Sequence, residues 1–463
     1  MRNAKNTPDR HTRRAMLRRA GAVAVGGLIA RMSTVRADTP ITKLRKGSEM
    51  KVRPDLLDNE SPKGIEVVQL TSDKEIPSSH LYMEAQIFTM DSKHLLLHQA
   101  ASAHGGSRSN PKHQYFRCDI EDNYSLHQIT EEVGAWAPSV SPDGKYVYYF
   151  VEESDIGKGK LTLKRVNLDG SDRRTIMVLD STIPDTDFRA CRFYGLSTIS
   201  SDGKRLAISC FLGDGKVDPP PFGLLIFDVE KATVRLVIHG PTWCNMHSQY
   251  CRSTDPEECH DVLIQENHEC VVTPDGRVTT LCGGKGADIH VIRDDGTNFR
   301  TMPWGRDGKE ACQGHQCWRG RTAWAITSTG TRTKTGHEAQ LIEGRAIPDQ
   351  GHIGLKTAGA ARNDLSRDFP KPGFCHFGTD IAGKRLITDS GPFDKGGRIF
   401  LADLGEPGRD PLTNFRYLLN PKSSCKKEAH IHPFLSPDGS LGFFNSDESG
   451  ILQAYMIRGL GKI

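Results

Sequence analysis

The chain has 463 residues, of which 37% are hydrophobic and 25% charged, a balance that allows a large core and excludes global disorder. Its net charge of +4 comes from residues 1–37, which hold nine Lys/Arg and one Asp; the remaining 52 basic and 56 acidic residues sum to −4. Composition thus offers no support for nucleic-acid binding.

The first element is Thr12-Arg13-Arg14-Ala15-Met16-Leu17-Arg18, followed by an apolar run over 20–30 and by Val35-Arg36-Ala37. A charged start, a short apolar stretch and a small-residue cleavage site read as a twin-arginine-type export signal over 1–37. The run is too short and too rich in Gly and Ala to span a bilayer, which takes about 20 apolar residues. The expectation is a periplasmic or secreted protein that meets the twin-arginine export machinery and has no membrane or nucleic-acid partner. Twelve cysteines lie between Cys118 and Cys425, and some can pair in an oxidising compartment. Their spacings contain no pair of CxxC motifs, so a structural zinc site is not indicated.

Residues 38–63 read as a lead segment and 64–463 as one repeating unit. A turn pattern, usually Ser/Thr-x-Asp-Gly, recurs at 89–92, 141–144, 200–203, 253–256, 319–321, 379–383 and 436–439. Pro and Gly there suit tight hairpins, and segments such as Tyr146-Val147-Tyr148-Tyr149-Phe150 have strand composition. Seven copies at a spacing of about 50–60 residues predict an all-β, seven-bladed β-propeller. The apolar stretch at 64–70 has no hairpin of its own and is expected to complete the last blade, removing a sheet edge.

Aligned on the turn, copies four to seven carry a histidine a few residues upstream: His247, His315, His376 and His432. Because the innermost strand precedes this turn, four imidazoles from adjacent blades should converge on the central channel as a metal or acid/base site. His430 and His432, two apart, share a face if the segment is a strand, and Glu428 would share it too. Neutral imidazole suits Mn, Fe, Co, Ni or Zn. His94, His98, His260 and His290 read instead as histidines satisfied by local partners. Arg108, Arg189, Arg192 and Arg319 are the cationic candidates near the rim.

Several motifs together resemble the oligogalacturonide lyases, a family of seven-bladed propellers with a divalent metal in the channel. They are Ser79-His80-Leu81-Tyr82, His247-Ser248-Gln249-Tyr250, Gly314-His315-Gln316-Cys317-Trp318, Cys375-His376-Phe377 and His430-Ile431-His432-Pro433-Phe434. The resemblance implies His376, His430 and His432 as metal ligands and Mn(2+) as the cofactor; Glu428, on the same expected face, is the candidate for an added oxygen. The resemblance also implies His315 as catalytic base; His80, His247 and Gln249 in the shared motifs, with the rim residues Arg108 and Arg192, are the candidates toward an acidic oligosaccharide substrate, and Arg319 is a candidate to supply positive charge. Lys427 stands where the family has a glutamine ligand, and the position around Asp288 that aligns with a family arginine holds none; Lys285 is a second candidate, beside Arg319, to take its place. The expected activity is β-elimination at a 4-linked uronate, as in pectin fragments. A non-catalytic propeller binding a glycan or protein, and a metal-dependent hydrolase or lactonase, are the competing readings; a serine hydrolase is disfavoured by the absence of a G-x-S-x-G elbow.

Overall fold

The computed structural model describes residues 51–153, 159–282, 286–304, 310–333, 336–348, 361–369 and 373–463, with Leu44–Arg45 and Ile156. The expected export signal at 1–37 lies outside the described residues, as does Lys285. Seven four-stranded antiparallel blades follow one another around a channel. Blade 1 runs from the innermost strand Ser78–His80 through His94–Gln99 and Gln114–Asp119 to Ser125–Gln128. The innermost strands of blades 2 to 7 are Ala135–Val140, Thr198–Ile199, Gln249–Tyr250, Glu310–Trp318, Phe374–Thr379 and Phe434–Leu435. No α-helix occurs among the described residues, and no helix there is long and apolar enough to cross a membrane.

Alternating side chains on each strand fill the spaces between blades, because a blade buried on both faces exposes neither pleat. Leu95, Leu97, Phe116, Val140, Val147 and Tyr149 belong to one cluster that blades 7, 1 and 2 share; Phe150, Leu163, Leu206, Ile208, Leu225 and Phe227 pack between blades 2 and 3. Each such side chain contributes about 1.5–3 kcal/mol on burial.

The expected closure is present. Glu66–Gln69 pairs antiparallel with Gln453–Arg458, so the first and last parts of the propeller share blade 7. Lys51–Val52 adds a further strand outside it. Arg53 locks the junction: its guanidinium donates to Gln69 Oε1 at 3.0 Å, Glu448 Oε2 at 2.8 Å and Asp55 Oδ2 at 2.6 Å.

The repeated turns all lie between a blade's first and second strands. Most are fixed by their own side chains, and the fifth by Thr379 of the sixth, whose hydroxyl accepts the Gly320 amide at 3.0 Å. Ser141 Oγ donates to Asp143 at 2.6 Å and accepts from the Tyr146 amide at 2.9 Å; Ser436 and Asp438 repeat the contact at 2.6 Å. Gly144, Gly203 and Gly439 take φ near 70°, the left-handed region that favours glycine. Residues from all seven turns, from Met90 to Pro437, line one cavity at a single mouth of the channel. The histidines therefore belong toward the opposite mouth.

Candidate metal centre

A regular innermost strand would aim its side chains at neighbouring blades, and here the regularity is broken. Ladder register shifts between Trp136 and Ser139, between Cys312 and Gln316, and between Phe374 and Phe377. Ala137, His247 and His432 take φ of 48°, 50° and 47°. Such conformations cost about 1–3 kcal/mol for residues other than glycine, and bulges of this kind re-aim side chains. In blade 5 the bulge falls on Gly314, with φ 82°; a Cβ there would lie 2.6 Å from the Gln265 amide nitrogen. Blade 1 has a larger excursion. Its strand ends at His80, pairing resumes at the Phe88–Leu95 bridge, and Tyr82 and Glu84 lie between.

These irregularities assemble five histidines. Ligand atoms of His104, His430 and His432 lie within 4.8 Å of one another, as do those of His315, Cys375 and His376. The two groups are continuous, since the His376 ring centroid is 4.4 Å from His432, 5.3 Å from His430 and 4.6 Å from His315. His104 Nε2 is 3.1 Å from His430 Nδ1. Tyr82 closes one side, its ring 4.5 Å from His432.

Burial, followed by repulsion among the rings, pushes the pKa values of His432 and His315 well below the usual histidine value and lowers that of His430. Neutral imidazoles carry the lone pairs that a cation needs. His376 differs. Burial works against its charged form, but Cys375 and Asp389 outweigh it and hold its pKa well above the usual value. Asp389 Oδ2 lies 2.9 Å from His376 Nδ1, and Oδ1 accepts the His376 backbone N–H at 2.8 Å. A carboxylate that fixes one ring nitrogen leaves the other aimed inward, as behind many metal-bound histidines. Both ring nitrogens of His432 are buried without a hydrogen-bond partner, and so is Nδ1 of His315. An orphaned imidazole nitrogen of His432 among converging rings fits a bound divalent cation, which would satisfy it.

Beside the histidines lies a cavity of about 260 Å³, lined by Tyr82, His104, Trp136, Tyr194, Asn245 and Lys427, among others. Aromatic walls with one ammonium group suit a carboxylate-bearing sugar. Between cavity and cluster, His247 Nδ1 is 2.8 Å from Glu84 Oε2, and its Nε2 is 2.8 Å from Asn245 Nδ2 and 3.2 Å from the Tyr194 hydroxyl. Burial raises the pKa of Glu84 despite the opposing pull of His247.

The structure thus brings His315, His376, His430, His432 and His247 together, and corrects several other expectations. Arg319 is 1% exposed; its guanidinium meets Glu343 Oε2 at 2.6 Å and donates to the carbonyls of Gly383 and Gly405, so it joins blades rather than facing the channel. Glu428 lies in the 3-10 turn Lys427–Ala429, not on a strand, and its side chain is exposed. It contributes its carbonyl instead, which accepts the Ala103 amide at 2.9 Å and ties the His104 hairpin to the His430 segment. His80 is fully buried: its Nδ1 donates to the Leu81 carbonyl at 2.6 Å and its ring packs on Phe434. Gln249 is buried and donates to the Gln316 carbonyl at 2.8 Å. Neither lines the cavity beside the histidines. Arg108 pairs with Glu152 and lies 5.0 Å over Trp136, a cavity wall, whereas the exposed Arg192 donates to the Asp275 carbonyl on another loop. His94, His98 and His260 have local partners in Asp119, Ser79 and Asp294, and His290 in Glu266.

His104, Tyr82, Glu84 and Asp389 were not singled out as site residues. Asp389 had a legible signal, an acidic residue inside the apolar strand Arg385–Ser390. His104 had a weaker one, the adjoining Gly105–Gly106 pair that forms a small hairpin with Ala101–Ser102.

No protein-family model and no curated protein matches this chain. Solved structures do. Two oligogalacturonate lyases share its fold. One, solved in complex with manganese, has a TM-score of 0.61 at 16% identity, over 92% of this chain and 98% of its own. The other, from Vibrio parahaemolyticus, has a TM-score of 0.61 at 17% identity, over 89% and 98%. The family that the histidine motifs resemble is thus also among the structural neighbours, at a distance.

Proposed function

We propose that the protein is a metal-dependent lyase that cleaves small uronate-containing oligosaccharides by β-elimination. The observation that carries this is the buried, partnerless His432 at the centre of five converging imidazoles. Two oligogalacturonate lyases, one holding manganese, have the same fold along nearly their whole length, which supports the reading. His376, His430 and His432 would hold the ion, with His104 completing the set. A divalent cation bound there supplies charge stabilisation for the substrate carboxylate.

The remaining steps fall to the chain's own residues. Trp136 and Tyr194 wall the sugar, and Lys427 offers its ammonium to a uronate carboxylate. Lys427 thereby binds substrate where the resembling family uses a glutamine ligand. His315, neutral by virtue of its burial, accepts the proton from the carbon next to the carboxylate through its free Nδ1. The electron pair left on carbon forms the new double bond as the glycosidic C–O bond breaks and the leaving oxygen takes up a proton.

The test is absorbance of the new double bond on a panel of uronate oligosaccharides, with and without chelator. A chelator-sensitive rise supports the lyase. No rise on any member, with metal present, would sink it and favour a glycan-binding propeller. The proposal includes export on the strength of the Arg13-Arg14 pattern. Changing both arginines to lysine should strand the protein in the cytoplasm on fractionation, and unchanged export would reject that part.

A further inference from the structure

The mouth formed by the seven turns has its own chemistry. Its cavity, about 110 Å³, is lined largely by apolar side chains, among them Met83, Ile87, Phe88 and Phe434. Two guanidinium groups stand in this setting, Arg252 within the cavity and Arg321 at its exposed rim. Among the described residues, neither side chain has a hydrogen bond or an ion pair.

The acidic residues closest in sequence to the turns are already engaged. Asp143, Asp202 and Asp438 each accept from the serine of their own turn at 2.5–2.6 Å, and Asp380 accepts the Lys384 and Arg385 amides at 2.8 and 2.9 Å. Burial lowers the Arg252 pKa, and the only groups that oppose it are the thiols of Cys317 and Cys251. A guanidinium drawn into apolar surroundings without a counter-charge is unfavourable, and an anion entering the mouth would offset that cost.

The geometry points to a second binding site at this mouth, for a small monocarboxylic acid with a compact apolar body, its carboxylate on Arg252 and Arg321. The planar guanidinium fork matches a carboxylate. The apolar walls favour a ring or branched chain over a polyhydroxylated sugar, and the volume suits a ligand roughly the size of benzoate. This inference is independent of the proposed lyase reaction.

Benzoate is the probe. Calorimetric titration of the purified protein, in buffer free of other carboxylates and phosphate, should give saturable binding. Arg252→Gln should weaken it by about tenfold or more, and Arg252→Lys by less, with metal content unchanged and a melting temperature no lower than that of the unaltered protein. His432→Ala should leave benzoate affinity intact, which separates this site from carboxylate capture at a metal. No saturable binding up to about 10 mM, equal affinity in Arg252→Gln, or loss of binding in His432→Ala would each overturn the proposal. Acetate and inorganic phosphate are expected to bind more weakly than benzoate; equal affinity for either would overturn the assignment of an apolar body.

Discussion

At one mouth of the channel seven hairpin turns surround two arginines whose side chains have no partner among the described residues, and six of the turns are held by their own serine, threonine or aspartate contacts. At the other, five histidines crowd together on backbone that departs from the ladder at Ala137, His247, Gly314 and His432. The same innermost strands feed both ends. The turn mouth is regular and repeats with the blades, whereas the histidine mouth is made where blades break their repeat. Regularity builds the frame, and the strained departures from it aim the side chains that can do chemistry.

The largest expected effect tests the histidine mouth alone. His315→Ala should reduce turnover on a uronate oligosaccharide by about 10²–10⁴-fold while sparing metal content. Loss of metal in elemental analysis would make His315 a ligand instead. The next tests the frame between the mouths. Arg319→Met leaves Glu343 charged and buried, and should cost about 3–5 kcal/mol in chemical denaturation. Residual folded protein should still hold its metal, and a metal-free but equally stable variant would return Arg319 to the site. Asp389→Asn should weaken metal affinity by about 10–100-fold, read by competition with a chelator. Smallest of all, Lys427→Met should raise KM about fivefold with metal affinity unchanged, the scale of one partly exposed charged hydrogen bond. A fall in metal affinity would contradict the carboxylate-binding role.

The division between the mouths also explains what could be read in the sequence. The turns were legible because their signal is local: serine, aspartate and glycine at fixed spacing make the contacts that hold the hairpin. The closing strand at Glu66–Gln69 was legible because an apolar strand without a hairpin needs a partner elsewhere. The histidine register was legible because it counts back from those turns. What the register could not convey is the bulges, since left-handed backbone at Ala137, His247 and His432 leaves no mark in residue type. Arg319 follows His315 closely in sequence, but it lies beyond the bulge on the approach to the turn, where it is drawn to Glu343. Strand alternation would set Glu428 beside the histidines, but the segment is a 3-10 turn, so only its carbonyl serves the site. His104 and Tyr82 come from blade 1, where the excursion after His80 replaces the register that the other blades share.

Metal content tests the central claim most directly. The purified protein, loaded with Mn(2+) and freed of excess ion, should retain a single divalent cation by elemental analysis, and His432→Ala, folded to the same melting behaviour, should retain none. Absence of bound metal in the unaltered protein, or full retention in His432→Ala, would contradict the account.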